Sequence, residues 1–145
     1  MLFRRRSRDQ GGAAAVEFAL ILPIFLMLLF GIIDFGYMIN RGSMINNAAR
    51  DAVRVASLQQ PKAQVEGVAN AALGQVGTAT VTVTCRKPPT PPAVVGANCG
   101  VYDTDAKTNG TAIVKISYTH KMLTPVGIFF PGGFDLTRTA EMRIE

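Results

Sequence analysis

Glu17 is the only charged residue in residues 13–33, which read AAAVEFALILPIFLMLLFGII. A charge at the centre of a membrane costs roughly 2.5–3.5 kcal/mol on insertion scales, so a plain apolar anchor gains nothing from holding a carboxylate. What a carboxylate can do there is meet a cation. A cut after Gly12 would create one: Ala13 would become the first residue and carry a new amine, with Glu17 fifth and one helical turn away. In a packed bundle, the same carboxylate can pair with the Ala13 amine of a neighbouring chain. Such pairing fixes axial register, because a slip leaves both charges unpaired in a dry environment.

The other reactive side chains are few. Cys85 and Cys99 bracket the proline-rich stretch RKPPTPPAVVGAN. If this half of the chain lies outside the cytoplasm, a disulfide between them is favoured, worth roughly 3 kcal/mol in the chain-entropy estimate; two free thiols are the alternative. His120 is the only histidine. It has no nearby Ser or Cys with an orienting carboxylate, so a hydrolytic triad has no support, and it reads as a surface or strand-end residue. Residues 103–110, DTDAKTNG, suggest a calcium loop, but Thr108 and Val114 stand where Gly and Glu belong. A polar turn with Asn109-Gly110 at its tip fits better, and that turn also explains the sequon Asn109-Gly-Thr111. One histidine and two cysteines cannot build a four-ligand zinc site without carboxylates. No metal, cofactor or catalytic residue is assigned.

These residues are positioned by an N-terminal element of distinctive composition. Of 145 residues, 48% are apolar and 17% charged, with a net charge of +5. Arg4, Arg5, Arg6 and Arg8 crowd the tip; without residues 1–12, eleven basic residues face nine acidic ones. A nucleic-acid-binding domain would spread its basic residues over a folded face, so that class is set aside. The run 13–33 would span roughly 31 Å as a helix, close to the hydrocarbon thickness of a bilayer. The arginines keep the N-terminus cytoplasmic by the positive-inside rule. Three readings follow: a cleavable secretory signal, an uncleaved anchor, or a leader cut before the apolar run. The first lacks a small-x-small site after Ile33.

Gly12 followed by AAAVEFALILP resembles the processing site of type IV-type prepilins, with Gly before the cut and Glu at the fifth mature position. The longer segment, about residues 11–54, resembles the TadE-like family, small pilin-like components of the tight-adherence (Flp) pilus system. The resemblance rests on the basic leader, Leu22-Pro23, Gly31, Asp34-Phe35-Gly36 and Asn47-Ala48-Ala49-Arg50 taken together. Phe18 stands where major Flp pilins usually carry Tyr, which favours a TadE-like component over the major subunit. Gly11 leaves open a cut one residue earlier, which would put Glu17 sixth. The resemblance implies processing by a prepilin peptidase, assembly with other pilin-like subunits and inner-membrane machinery, and no catalytic activity.

Pro23 removes one backbone donor and predicts a kink, read either as simple tolerance or as a bend that lets the helix enter a bundle. Beyond the span, Met44, Ile45, Ala48, Ala49, Ala52, Val53 and Ala56 repeat at three and four, the mark of one apolar helix face. The helix should stop near Leu58, before Pro61. Its alanine ridge is expected to pack on the chain's own domain. Residues 61–76 predict a short amphipathic helix ended by Gly77. Period-two patterns predict strands over 78–85, 111–118 and 134–144. The apolar connection 123–134 is expected to fold over the sheet and fill the core; left exposed, it would be a contact patch.

The predicted class is therefore α+β. A basic leader over 1–12 precedes a transmembrane and extended helix over 13–58 and an outer α+β domain over 59–145. The expected location is the bacterial inner membrane, single pass, with that domain periplasmic or extracellular and membrane lipid among its partners. The alternative is an uncleaved inner-membrane protein whose outer domain binds a ligand or wall component.

Overall fold

The computed structural model describes residues 11–91 and 93–145. The arginine-rich part of the expected leader, within 1–10, lies outside them. Helix α1 runs Gly11–Ser57, α2 Lys62–Leu73, β1 Thr80–Arg86, a short α3 Tyr102–Asp105, β2 Thr111–His120 and β3 Phe134–Arg143. Single turns of 3₁₀ helix extend α2 at Gly74–Val76 and interrupt the β2–β3 connection at Pro125–Phe129. The layout is α+β: one long apolar helix, a second short helix and a three-stranded antiparallel sheet in the order β1-β2-β3. Helical assignment is unbroken through Pro23. α1 is long and apolar enough to cross a membrane, and the rest of the chain buries none of its most apolar stretch.

The core lies between the second half of α1, α2 and the inner face of the sheet. Ile45, Ala48, Ala52 and Ala56 of α1 are fully buried, against Val65 and Ala69 of α2 and Ala112, Val114 and Ile116 of β2. The small alanine side chains let neighbouring elements approach α1 closely, so the ridge serves the chain's own domain. β2 is central, and its alternate residues point inward as the period-two pattern requires. Strand β3 is an edge: its inward Leu136 and Ala140 are only half-buried, because α1 alone covers that side.

Long-range polar contacts lock the ends of the helices. α2 starts behind Pro61, which has no capping side chain, and Asp103 of α3 accepts the Lys62 N–H at 2.7 Å instead. The Tyr102 hydroxyl donates to the Ala56 carbonyl at 2.9 Å, one of the carbonyls a helix leaves unpaired at its C-terminus. Gln59 leaves α1 in the left-handed region (φ 56°). Its side-chain amide holds Thr108 Oγ1 and the Glu145 carbonyl, each at 2.9 Å.

Candidate functional site

Gly12, Ala13 and Glu17 lie together on the exposed N-terminal part of α1. A side chain at Gly12 would meet nothing within 4 Å. Packing among the described residues therefore gives no reason for a glycine there. Glu17 makes no ion pair with another described residue. Pro23 faces the 3₁₀ turn of the β2–β3 connection: a shallow apolar cleft is lined by Pro23, Leu26, Met27 and Phe30 on α1 and by Pro125, Val126 and Phe129 on that turn.

The connection is fastened to α1 by Asp34, which the sequence offered only as part of a family-like segment. Asp34 is 3% exposed. Its carboxylate accepts the Leu123 N–H at 2.9 Å and the Thr124 hydroxyl, so a charge at the upper end of the apolar run is satisfied by residues about ninety positions away. The signal that could have found it is its place: a lone acid one residue beyond Ile33, where a helix would leave the bilayer.

His120 ends β2, as read from the sequence, but the expectation of a surface residue fails, because it is 2% exposed. Its ring sits 6.0 Å from that of Tyr37 and 6.3 Å from that of Tyr118. Among the described residues, neither ring nitrogen has a hydrogen-bond partner. With Asp34, Phe35, Met38 and Met122 it lines a small cavity of about 160 Å³. Gly133 explains why the chain turns here: its φ is +69°, and a Cβ would lie 2.3 Å from the His120 carbonyl oxygen, so only glycine fits.

The connection does not fill the core, contrary to the first expectation for residues 123–134. Ile128 is 80% and Phe129 70% exposed. Asp34 and the 3₁₀ turn hold the segment against the outer part of α1, where Phe129 borders the cleft and neither side chain enters the core.

At the far end of the domain, Cys85 and Cys99 form a disulfide. The Cys99 N–H also donates to the Cys85 carbonyl at 2.8 Å, and Lys87 N–H to that of Ala97 at 2.8 Å, so the proline-rich loop folds back on the edge strand β1. Residues 103–110 are a helical turn and a polar turn: Asp105 accepts the Gly100 N–H at 2.8 Å, and Asn109 adopts φ 69° at the tip. Among the described residues, no three His, Cys, Asp or Glu side chains are grouped to hold a metal ion.

The residues that cluster are thus those of α1 and what touches it. Residues 12–54 match the family model described as TadE-like protein, which spans the exposed half of α1, Asp34 and most of the buried ridge. No curated protein and no solved structure matches the chain. The sheet domain lies beyond the matched segment, and it is α1 that carries the similarity to TadE-like proteins, a family associated with the tight-adherence (Flp) pilus.

Proposed function

We propose that the protein is a minor, pilin-like subunit of a tight-adherence pilus or related secretion system. A prepilin peptidase cuts between Gly12 and Ala13; α1 then holds the protein in the inner membrane, with the sheet domain on the outer side. On assembly α1 joins a helical bundle in which Glu17 pairs with the Ala13 amine of a neighbouring subunit. The bend expected at Pro23 helps the helix enter that bundle. The role is assembly and surface adherence through protein and lipid contacts, without catalysis, cofactor or nucleic acid.

The observation that carries this reading is the bare N-terminal half of α1. It holds one carboxylate, placed five residues after a glycine that packing leaves unexplained. The test is the N-terminus of the protein isolated from its native host. A start at Ala13 is expected; an intact Met1 would leave an uncleaved anchor with a ligand- or wall-binding domain, and a start beyond Ile33 a secreted protein. Gly12→Val should block the cut, because a branched side chain fits the cleaved position poorly; normal maturation of that variant would refute the site. Glu17→Leu should enter the membrane at least as well, since it removes the charge, yet abolish assembly. Pili formed normally with that change would remove the charge-pairing role.

A further inference from the structure

Residues 122–134, MLTPVGIFFPGGF, carry no charge, and their one hydroxyl, that of Thr124, is held by Asp34. Lys121 and Asp135 bound the segment on either side. The 3₁₀ turn rides beside α1 at the level of Pro23 to Phe30. At 1.5 Å per residue, those positions lie about 5–15 Å along the helix from Ile33, inside the apolar run. Phe129 lies at that level, and Leu123, Ile128, Phe129 and Phe130 all stay exposed, near a helix surface that the domain also leaves bare.

Much of the segment's backbone is satisfied internally, which lowers the cost of entering a medium without water. Pro125 and Pro131 have no N–H to satisfy. The N–H of Gly127 donates to Thr124, that of Phe130 to Gly127 and that of Gly133 to Phe130, at 3.0, 3.0 and 3.1 Å. The Leu123 N–H goes to Asp34. Asp34 itself is covered, so the clamp brings no bare charge with it.

We propose that residues 122–134 are a membrane wedge: Ile128, Phe129 and Phe130 insert among the acyl chains of the leaflet on the domain's side, held there by the Asp34 clamp. The proposal rests on the reading of α1 as a membrane anchor. It follows from continuity of the two apolar surfaces, since a bilayer deep enough to cover 13–33 also covers the level of Pro23 to Phe30. Lys121, exposed at the segment's start, is placed to meet headgroup phosphates. The domain is thereby fixed in orientation on the membrane instead of swinging on α1.

The chain has no tryptophan, so single substitutions give clean probes. Full-length Phe129→Trp, Ile24→Trp and Val94→Trp would each be reconstituted into phosphatidylcholine–phosphatidylglycerol vesicles with brominated acyl chains. Phe129→Trp and Ile24→Trp should emit at shorter wavelength and lose most of their emission to the bromines. Val94→Trp, on the proline-rich loop, should keep its emission. A bright Phe129→Trp beside a quenched Ile24→Trp overturns the wedge while leaving the anchor intact; if its emission is also blue-shifted, a second copy of the chain covers the patch. Quenching of Val94→Trp as well overturns it in favour of a domain lying flat on the lipid. If none of the three is quenched, the anchor reading fails and the wedge with it.

Discussion

The two halves of α1 are both apolar, and they differ in the size of their side chains. From Val16 to Ile33 the helix presents Leu, Ile, Phe and Met, and these are bare. From Ile45 to Ala56 it presents mainly alanine and valine, and these are buried under α2 and the sheet. Alanine offers little apolar area, but it lets backbones approach closely, which suits a helix enclosed by its own domain. Bulky residues project far from the helix axis, where lipid tails or other helices can close around them. Hydrophobicity alone therefore does not say which partner a helix face will meet.

The sharpest way to break that contrast compares two isoleucines on the same helix. Ile45 is fully buried and Ile24 is 70% exposed. Ile45→Ala should destabilise the domain by about 2–5 kcal/mol, through lost burial and the cavity left behind. Ile24→Ala should leave domain stability unchanged. Urea unfolding of the full chain in detergent, followed by tyrosine fluorescence, measures both. Equal effects would mean that the exposed half is packed on the domain after all.

The same contrast governs what was legible beforehand. The α1 ridge, α2 and the inward face of β2 could be read because each is a local repeat of three-and-four or of two. The disulfide could be read because two cysteines bracket one loop. Asp34 and Asp103 could not, because their partners lie far away in sequence and depend on where the chain returns. Asp34 meets Leu123 and Thr124, and Asp103 caps the helix behind Pro61. His120 misled because histidine is intermediate in its tendency to be buried, and nothing local shows that it lies beside Tyr37 and Tyr118. Residues 123–134 misled for a related reason: an apolar segment fits a core by composition, and only its place beside Pro23 to Phe30 shows that it lies outside.

A second substitution tests whether size decides the matter. Ala52 is fully buried, so Ala52→Leu should overpack the contact with α2 and the sheet and destabilise the domain by about 1–3 kcal/mol. Ala15→Leu, in the exposed half, adds the same bulk with no neighbour to displace. Its unfolding midpoint in urea should equal that of the unchanged chain. A destabilised Ala15→Leu would show that small residues are required along the whole of α1.

The smallest effect expected is a response of the buried end to acid. Asp105 is held below the ordinary carboxylate range chiefly by the Gly100 N–H; burial opposes this, while the Val101 N–H and Lys87 add to it. Lys87 Nζ lies 3.4 Å from its carboxylate. Because the folded value is the lower one, the stabilisation is present above the unfolded value of about 3.9 and is lost as pH falls through the folded one. Acid should therefore loosen the turn that carries Tyr102, and with it the latch on the last turn of α1. Asp105→Asn should lower stability slightly at neutral pH and flatten its fall in acid, read as urea midpoints on either side of that value. The bare half of α1 has no part in this contact, so its helical signal in detergent should stay constant across the range. An acid-induced loss identical in Asp105→Asn and the unchanged chain would assign the sensitivity to other carboxylates.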